Sequence, residues 1–330
     1  MNILSIDGGG IRGIIPAVVL AAIEERTGRR IADLFDVIAG TSTGGILACS
    51  LAAPGEDGRP RLSAADVIDL YVEDGPKIFD RSLLRRIASG DGWIDERYDN
   101  DALRESLDDH LGDARLKDAL CEVFVTAYEL RLRNAFFFRS RRARGVDLPA
   151  GAEAGEYDFA MAAVALATSS APTYFEPVEV ESAAGERFAL IDGGVFATNP
   201  AMCAYAEWRG RGPAADLTLV SLGTGKQSVE HGIDFDVARG WGVIGWARPL
   251  IDVMFDGVAD TVDYELAQLL ETGYLRLQSP LRHAREALDD ASEQNLADLR
   301  RDGEELVAEH SAAIDELCEQ LLSRPRTATP

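Results

Sequence analysis

The segment Phe35-Asp36-Val37-Ile38-Ala39-Gly40-Thr41-Ser42-Thr43-Gly44-Gly45-Ile46-Leu47-Ala48 constrains this chain more than any other. It begins as an apolar run of strand length and ends in small and apolar residues at helical spacing. The pentapeptide Gly40-x-Ser42-x-Gly44 joins the halves. A serine at a sharp strand-to-helix turn presents its hydroxyl above the sheet, and flanking glycines supply close backbone approach and positive φ. The helix N-terminus adds free N–H groups and a positive dipole end. The plainer alternative is a glycine-rich loop in which Ser42 only caps a helix, since this spacing also arises by chance.

Two more strands are expected to end in glycine turns. Ile3 to Ile6 runs into Asp7-Gly8-Gly9-Gly10-Ile11-Arg12-Gly13, and Phe188 to Ile191 stops at Asp192-Gly193-Gly194. After the first turn comes a helix with Pro16 in its opening turn, ending near Gly28. The opening is therefore strand–helix–strand–helix, the sign of a parallel sheet covered by helices. In such sheets functional groups gather at the carboxyl ends of strands.

Further along, Ser63-Ala64-Ala65-Asp66 reads as a capping signal and Asp101 to Leu111 as a helix. Residues 80–98 read as irregular. Glu122 to Leu130 and Asn134 to Phe138 look like paired strands, followed by a basic loop, Arg139 to Arg144. Phe159 to Ala167 is a small-residue helix, and Asn199-Pro200 opens another. Leu217 to Leu222 is a strand and Pro249 to Leu270 a long helix. The acidic C-terminal region reads as helical, broken near Gly303, with a loose tail from Arg324.

Composition narrows the function classes. The 330 residues carry a formal charge of −23 and only three lysines, Lys77, Lys117 and Lys226. Such a surface repels nucleic acid and anionic bilayers at low salt, so no nucleic-acid partner is expected. No apolar run reaches the ~20 residues that span a bilayer, and Met1 to Ile6 reads as a strand rather than a leader, which predicts a cytoplasmic protein, peripheral to membranes at most. Cys49, Cys121, Cys203 and Cys318 lack metal-ligand spacing and read as reduced core residues.

A hydrolytic serine needs a base and an oxyanion hole. The Gly8, Gly9 and Gly10 run can aim consecutive N–H groups at a developing oxyanion, with Arg12 close enough to add positive potential. A histidine base in Ser–Asp–His order would be His231, His283 or His310, with His231 best placed after a glycine loop. His110 sits near a helix end, and the last two lie in the acidic region. Asp192 acting directly on Ser42 is preferred over these, against the plainer reading of Asp192 as an Asx-turn residue. Burial must raise its pKa for it to work as a base. Without an imidazole, activity is expected to persist further into mild acid than a histidine triad allows. The literal dinucleotide fingerprint Gly8-x-Gly10-x-x-Gly13 is set aside, because the second strand ends in Ala39-Gly40 where that fingerprint needs an acidic residue.

Together the three glycine motifs, with Ala171-Pro172-Thr173-Tyr174-Phe175 and Asn199-Pro200, resemble the patatin-like phospholipases. The likeness spans residues 3–278, where Tyr274-Leu275-Arg276-Leu277-Gln278 resembles the close of the plant-type domain; 279–323 would be a C-terminal helical extension packed on it and 324–330 a tail. The resemblance implies an α/β, three-layer α/β/α fold with a mostly parallel central sheet. It implies Ser42 as nucleophile, Asp192 as base, an oxyanion hole from Gly8, Gly9, Gly10 and Arg12, elbow glycines Gly40 and Gly44, no metal and no cofactor. The activity implied is a phospholipase A or lysophospholipase-type lipid acyl hydrolase working through an acyl-enzyme. Alternatives are an effector phospholipase of antiviral defence switched on by a cyclic nucleotide, an acyltransferase, or a lipid-binding or storage protein without turnover.

The substrate would be a lipid or fatty-acyl ester, reached through transient membrane contact. Trp241-Gly242-Val243-Ile244-Gly245-Trp246, flanked by Arg239 and Arg248, has interfacial character, although ordinary helix-start packing is the preferred reading. The arginine loop 139–144 could bind a headgroup phosphate or be a solvated turn. Oligomeric state is not legible.

Overall fold

Alternate residues of the central strands face two different cores. The computed structural model describes residues 1–80, 98–209, 217–226, 233–246 and 249–324. Within these lie β1 (Asn2–Ile6), β2 (Val37–Gly40), β3 (Glu122–Glu129), β4 (Asn134–Arg139), β5 (Val178–Glu181), β6 (Arg187–Asp192), β7 (Thr218–Leu222) and β8 (Tyr274–Leu277). Leu4, Ile6, Ile38, Val123, Val125, Val220 and Leu222 enter one core, while Ile3, Val37, Ala39, Phe124 and Leu219 enter the other. This period of two leaves each central strand apolar on both sides, as a doubly covered sheet requires. Helices Ile14–Thr27, Thr43–Ala52 and Met161–Ser169 supply the first core. Ala201–Trp208 and Pro249–Leu269 supply the second, giving three layers.

The strand order is β5-β6-β3-β2-β1-β7-β8, with β4 added on β3. The run β3-β2-β1-β7-β8 is parallel, and β4, β5 and β6 are antiparallel to their neighbours. Ile6 is level with both Gly40 and Leu222, so the turns after β1, β2 and β7 emerge side by side. Strand β4 pairs along Phe124 to Glu129 and so occupies one edge of β3. Strand β2, against Glu122 to Val125, and β6, against Ala127 to Glu129, must then share the other edge. They run in opposite senses and meet end to end there.

Several expectations are corrected. Residues Ser140–Ala143 form a short helix rather than a free basic loop, and its arginines are engaged: Arg144 with Glu122, Arg141 with Asp147, Arg139 with Glu207, and Arg142 over the Tyr157 ring. Three of these four charges are already paired with carboxylates, which weakens them as phosphate ligands. Helix Glu293–Glu309 runs unbroken through Gly303, and the break falls at His310, before helix Ser311–Ser323. Gly303 is buried where an added Cβ would lie 3.0 Å from Val18 Cβ, so its missing side chain lets this helix approach Ile14–Thr27. Strand β5 was not anticipated. The expected irregular stretch 80–98 falls mostly, and the tail almost wholly, outside the described residues. No described helix is long and apolar enough to cross a membrane.

Candidate active site

Ser42 follows β2 with φ 55° and ψ −126°, a backbone conformation costly for a residue with a side chain. The strain falls on the serine, and neither Gly40 nor Gly44 has positive φ, contrary to the sequence expectation. The two glycines provide close approach instead. An added Cβ on Gly40 would lie 2.1 Å from the Gly44 carbonyl oxygen, and one on Gly44 2.1 Å from that of Ile6.

Three buried threonines, not singled out from the sequence, hold this turn. The Ser42 N–H donates to Thr168 Oγ1 at 2.8 Å, and that hydroxyl donates to the Thr126 carbonyl at 2.7 Å. The Thr41 hydroxyl donates to the Ala197 carbonyl at 2.6 Å, which makes Thr126 Oγ1 the donor in its 2.7 Å contact with Thr41 Oγ1. The elbow is thereby tied to β3 and to the segment after Asp192.

Asp192 ends β6 and is fully buried. Its N–H donates to the Ser170 carbonyl at 3.0 Å, and its Oδ1 accepts from the Gly194 N–H at 2.7 Å. Its Oδ2 has no hydrogen-bond partner among the described residues. Burial pushes the carboxyl up to about 7, with the neighbouring Ser42 hydroxyl and the Gly194 N–H partly opposing the rise. The Ser42 hydroxyl thus lies near enough to favour the carboxylate without closing a hydrogen bond of standard geometry. A carboxyl raised this far gains its proton in the same range as an imidazole.

The glycine turn after β1 divides its N–H groups. That of Gly8 donates to the Thr198 carbonyl at 2.9 Å and is not available to a substrate. Those of Gly9 and Gly10 have no acceptor among the described residues. Gly10 adopts φ 57°, and an added Cβ would meet the Leu288 carbonyl oxygen at 2.2 Å. Arg12 is buried and its Nε donates to the Gly9 carbonyl at 3.4 Å. Its side chain faces a polar cleft shared with Thr224, Asp256 and Gln278, whereas Gly9, Gly10 and Ser42 line a separate apolar one. Burial lowers the Arg12 pKa, with Asp256 opposing. The effect of Arg12 on the Gly9 turn therefore runs through its hydrogen bond to the backbone.

Asp7 and Arg276 form a buried bidentate pair, with Nη1–Oδ1 at 3.0 Å and Nη2–Oδ2 at 2.5 Å. Arg276 Nη1 also donates to Ser221 Oγ at 2.8 Å, so one side chain fastens β8 to the ends of β1 and β7. Burial raises the Asp7 pKa, with Arg276 opposing. Asn199 Oδ1 accepts from the Ala201 N–H at 3.0 Å and, at longer range, from the Ser5 and Ser221 hydroxyls. These contacts give Asn199-Pro200 a structural role.

The cleft over Ser42 is lined by Ile46, Leu70, Ile78, Phe79, Leu103, Leu107, Phe175 and Phe255. No histidine lines it among the described residues. His110 pairs with Asp74, His283 with Glu305, and His310 separates the two C-terminal helices; His231 lies outside the described residues. His283, Asp302 and Glu305 converge, but Asp302 already accepts from the N–H groups of residues 282–284 and anchors that loop to its helix.

Helices on both faces of a mostly parallel sheet, with an apolar cleft beyond its strand ends, make this an α/β/α protein. The chain belongs to the patatin-like phospholipase family, whose model matches residues 4–205. It is 32% identical to patatin-like protein 2 of Arabidopsis thaliana, over 96% of this chain and 84% of that one. It is 31% identical to patatin-like protein 1 of Oryza sativa subsp. indica, over 96% and 83%. A potato (Solanum tuberosum) relative described as probable inactive patatin-3-Kuras 1 is 32% identical over 93% and 86%. Among solved structures, VipD from Legionella pneumophila aligns with 94% of this chain and 67% of its own at 12% identity and a TM-score of 0.39, too slight a likeness to bear on function.

Proposed function

We propose that the protein is a lipid acyl hydrolase of phospholipase A or lysophospholipase type, with Ser42 as nucleophile and Asp192 as its base. Family membership supports lipid hydrolysis in general, and the observation that carries the finer reading is the unpartnered Asp192 Oδ2, buried beside a serine held at φ 55°. A buried carboxylate pushed up to about 7 has the basicity to take a hydroxyl proton near neutral pH.

Asp192 removes the Ser42 proton as Oγ attacks the ester carbonyl, and the tetrahedral oxyanion is met by the Gly9 and Gly10 N–H groups. Collapse expels the alcohol, which takes the proton from Asp192, and leaves an acyl-enzyme. Water, deprotonated by Asp192, attacks this ester, and Asp192 returns the proton to Ser42 Oγ as it leaves and the fatty acid is released. The apolar cleft lined by Leu70, Leu103 and Phe175 would hold the acyl chain.

The test is release of p-nitrophenol from esters of graded chain length by wild type and Ser42→Ala. Turnover lost in the variant is expected, and turnover that survives it would end the assignment of Ser42.

A further inference from the structure

Exposed large hydrophobic side chains concentrate in one part of the chain. Nine of the thirteen among the described residues fall between Ile233 and Leu269. Phe235 is 77% exposed and Val237 57%, on a short helix, Phe235–Ala238. Leu250, Val253 and Met254 are 46%, 45% and 43% exposed and recur at the spacing of one helical face on Pro249–Leu269. The helix Val243–Trp246 packs against this one and leaves Trp246 36% exposed, edge-on to Trp241 at 5.0 Å. Single exposed hydrophobics need no explanation, but a stripe of them does.

The same helix also turns inward at the candidate active site. Phe255, next to Met254, is buried, lines the cleft with Ser42, and stands where an added Cβ on Gly194 would lie 2.9 Å from its ring. One helix thus carries both a wall of the acyl cleft and an unpartnered apolar stripe.

We propose that this stripe adsorbs onto a lipid surface of zwitterionic or uncharged headgroups, bringing the cleft to the layer that holds its substrate. This rests on the lipid hydrolase reading above. Charge selects the occupant. Asp234, Asp236 and Asp252 interleave with the apolar residues, Arg239 is spent on Asp236 at 3.3 Å, and no lysine lies between Lys226 and the C-terminus. Among the described residues from Ile233 to Leu269 that pairing takes up the one basic side chain, so an anionic bilayer finds little there to attract it. A second copy of a chain of charge −23 meets like charge across the whole approach. A zwitterionic surface offers apolar depth without that repulsion, and the Trp246 ring has the amphipathic character favoured at headgroup level.

The experiment uses the Ser42→Ala protein, so that lipid turnover does not intervene. It is sedimented with phosphatidylcholine vesicles and with phosphatidylglycerol vesicles at low and high salt. Binding to phosphatidylcholine that salt leaves nearly unchanged is expected, with weaker binding to phosphatidylglycerol that improves as salt screens repulsion. Leu250→Asp with Val253→Asp should lower partitioning at least about tenfold, and Phe235→Asp alone by a smaller factor. In the Ser42 background, both variants should cleave a soluble short-chain ester within about twofold of wild type while losing activity on vesicle-packed lipid. Protein left in the supernatant with phosphatidylcholine, or the double variant and Phe235→Asp both binding as wild type, would overturn the proposal. So would a wild-type dimer that these substitutions dissociate. Failure of the adsorption proposal leaves soluble-ester cleavage intact, whereas failure of the hydrolase reading removes that cleavage and not the vesicle binding.

Discussion

The carboxylate of Asp192 stands beside the hydroxyl of Ser42 because their two strands abut along a single edge of β3. Gly40 lies opposite Val125 and Asp192 opposite Ala127, so the end of β2 and the end of β6 are separated by the width of one β3 residue. The pair is positioned by backbone ladders on both sides, and the threonine hydroxyls at Thr126 and Thr168 tie the serine turn to β3 between them.

Ser42→Gly should remove ester cleavage and stabilise the fold by about 1 kcal/mol, because glycine accepts φ 55° without the strain that serine stores. Ser42→Ala should remove cleavage without that gain. Urea unfolding of the three proteins distinguishes them, and equal midpoints for the glycine and alanine variants would show that the turn is not strained.

Asp192 has a pKa of about 7 when folded against 3.8 for the free carboxyl, so the native state binds more protons between these values. Its contribution to stability is fully present below about 3.8 and is lost as pH rises through about 7. Asp192→Asn should flatten this slope and be more stable than wild type at pH 8 than at pH 4, by a difference on the order of a few kcal/mol. The wild-type kcat/KM should climb through the same window as the base ionises, and the variant should be nearly inactive throughout. Thermal midpoints and rates across pH 4 to 9 check both.

Thr168→Val leaves the buried Ser42 N–H without its acceptor, at a cost of about 1–3 kcal/mol. The expected signature is a fall in kcat with KM little changed, and recovery in Thr168→Ser. If valine and serine variants behaved alike, the hydroxyl would have no part in holding the elbow.

Arg276→Met strands the buried Asp7 carboxylate and should cost about 3–5 kcal/mol. Adding Asp7→Asn should recover much of that loss, which a double-mutant cycle by denaturant unfolding would measure.

Gly303→Leu should push helix Glu293–Glu309 away from Val18 and destabilise the protein by about 1–3 kcal/mol. Cleavage of a soluble ester below the melting temperature should be unaffected, since neither residue lines the cleft. A loss of rate without a loss of stability would place this helix in communication with the site.

Local chemistry made much of this protein legible in its sequence. Apolar runs bounded by glycine turns marked β1, β2, β6 and β7, and the capping signal at Ser63 marked the helix that forms there with a full capping box. The Gly40-x-Ser42-x-Gly44 turn was readable because its geometry is confined to a few consecutive residues. The tertiary structure decided what depends on distant groups. The antiparallel course of β6 brought Asp192 to Ser42, and burial in that position raised its pKa. Which glycine N–H groups stay open was set by the Thr198 carbonyl, which takes that of Gly8. Arg276 found Asp7 only because β8 was added beside β7, and Gly303 remained within a helix because the helix behind it needed room. Turn chemistry is written in neighbouring residues, whereas desolvation, ion pairing and close packing are properties of surfaces that exist only after the chain has folded.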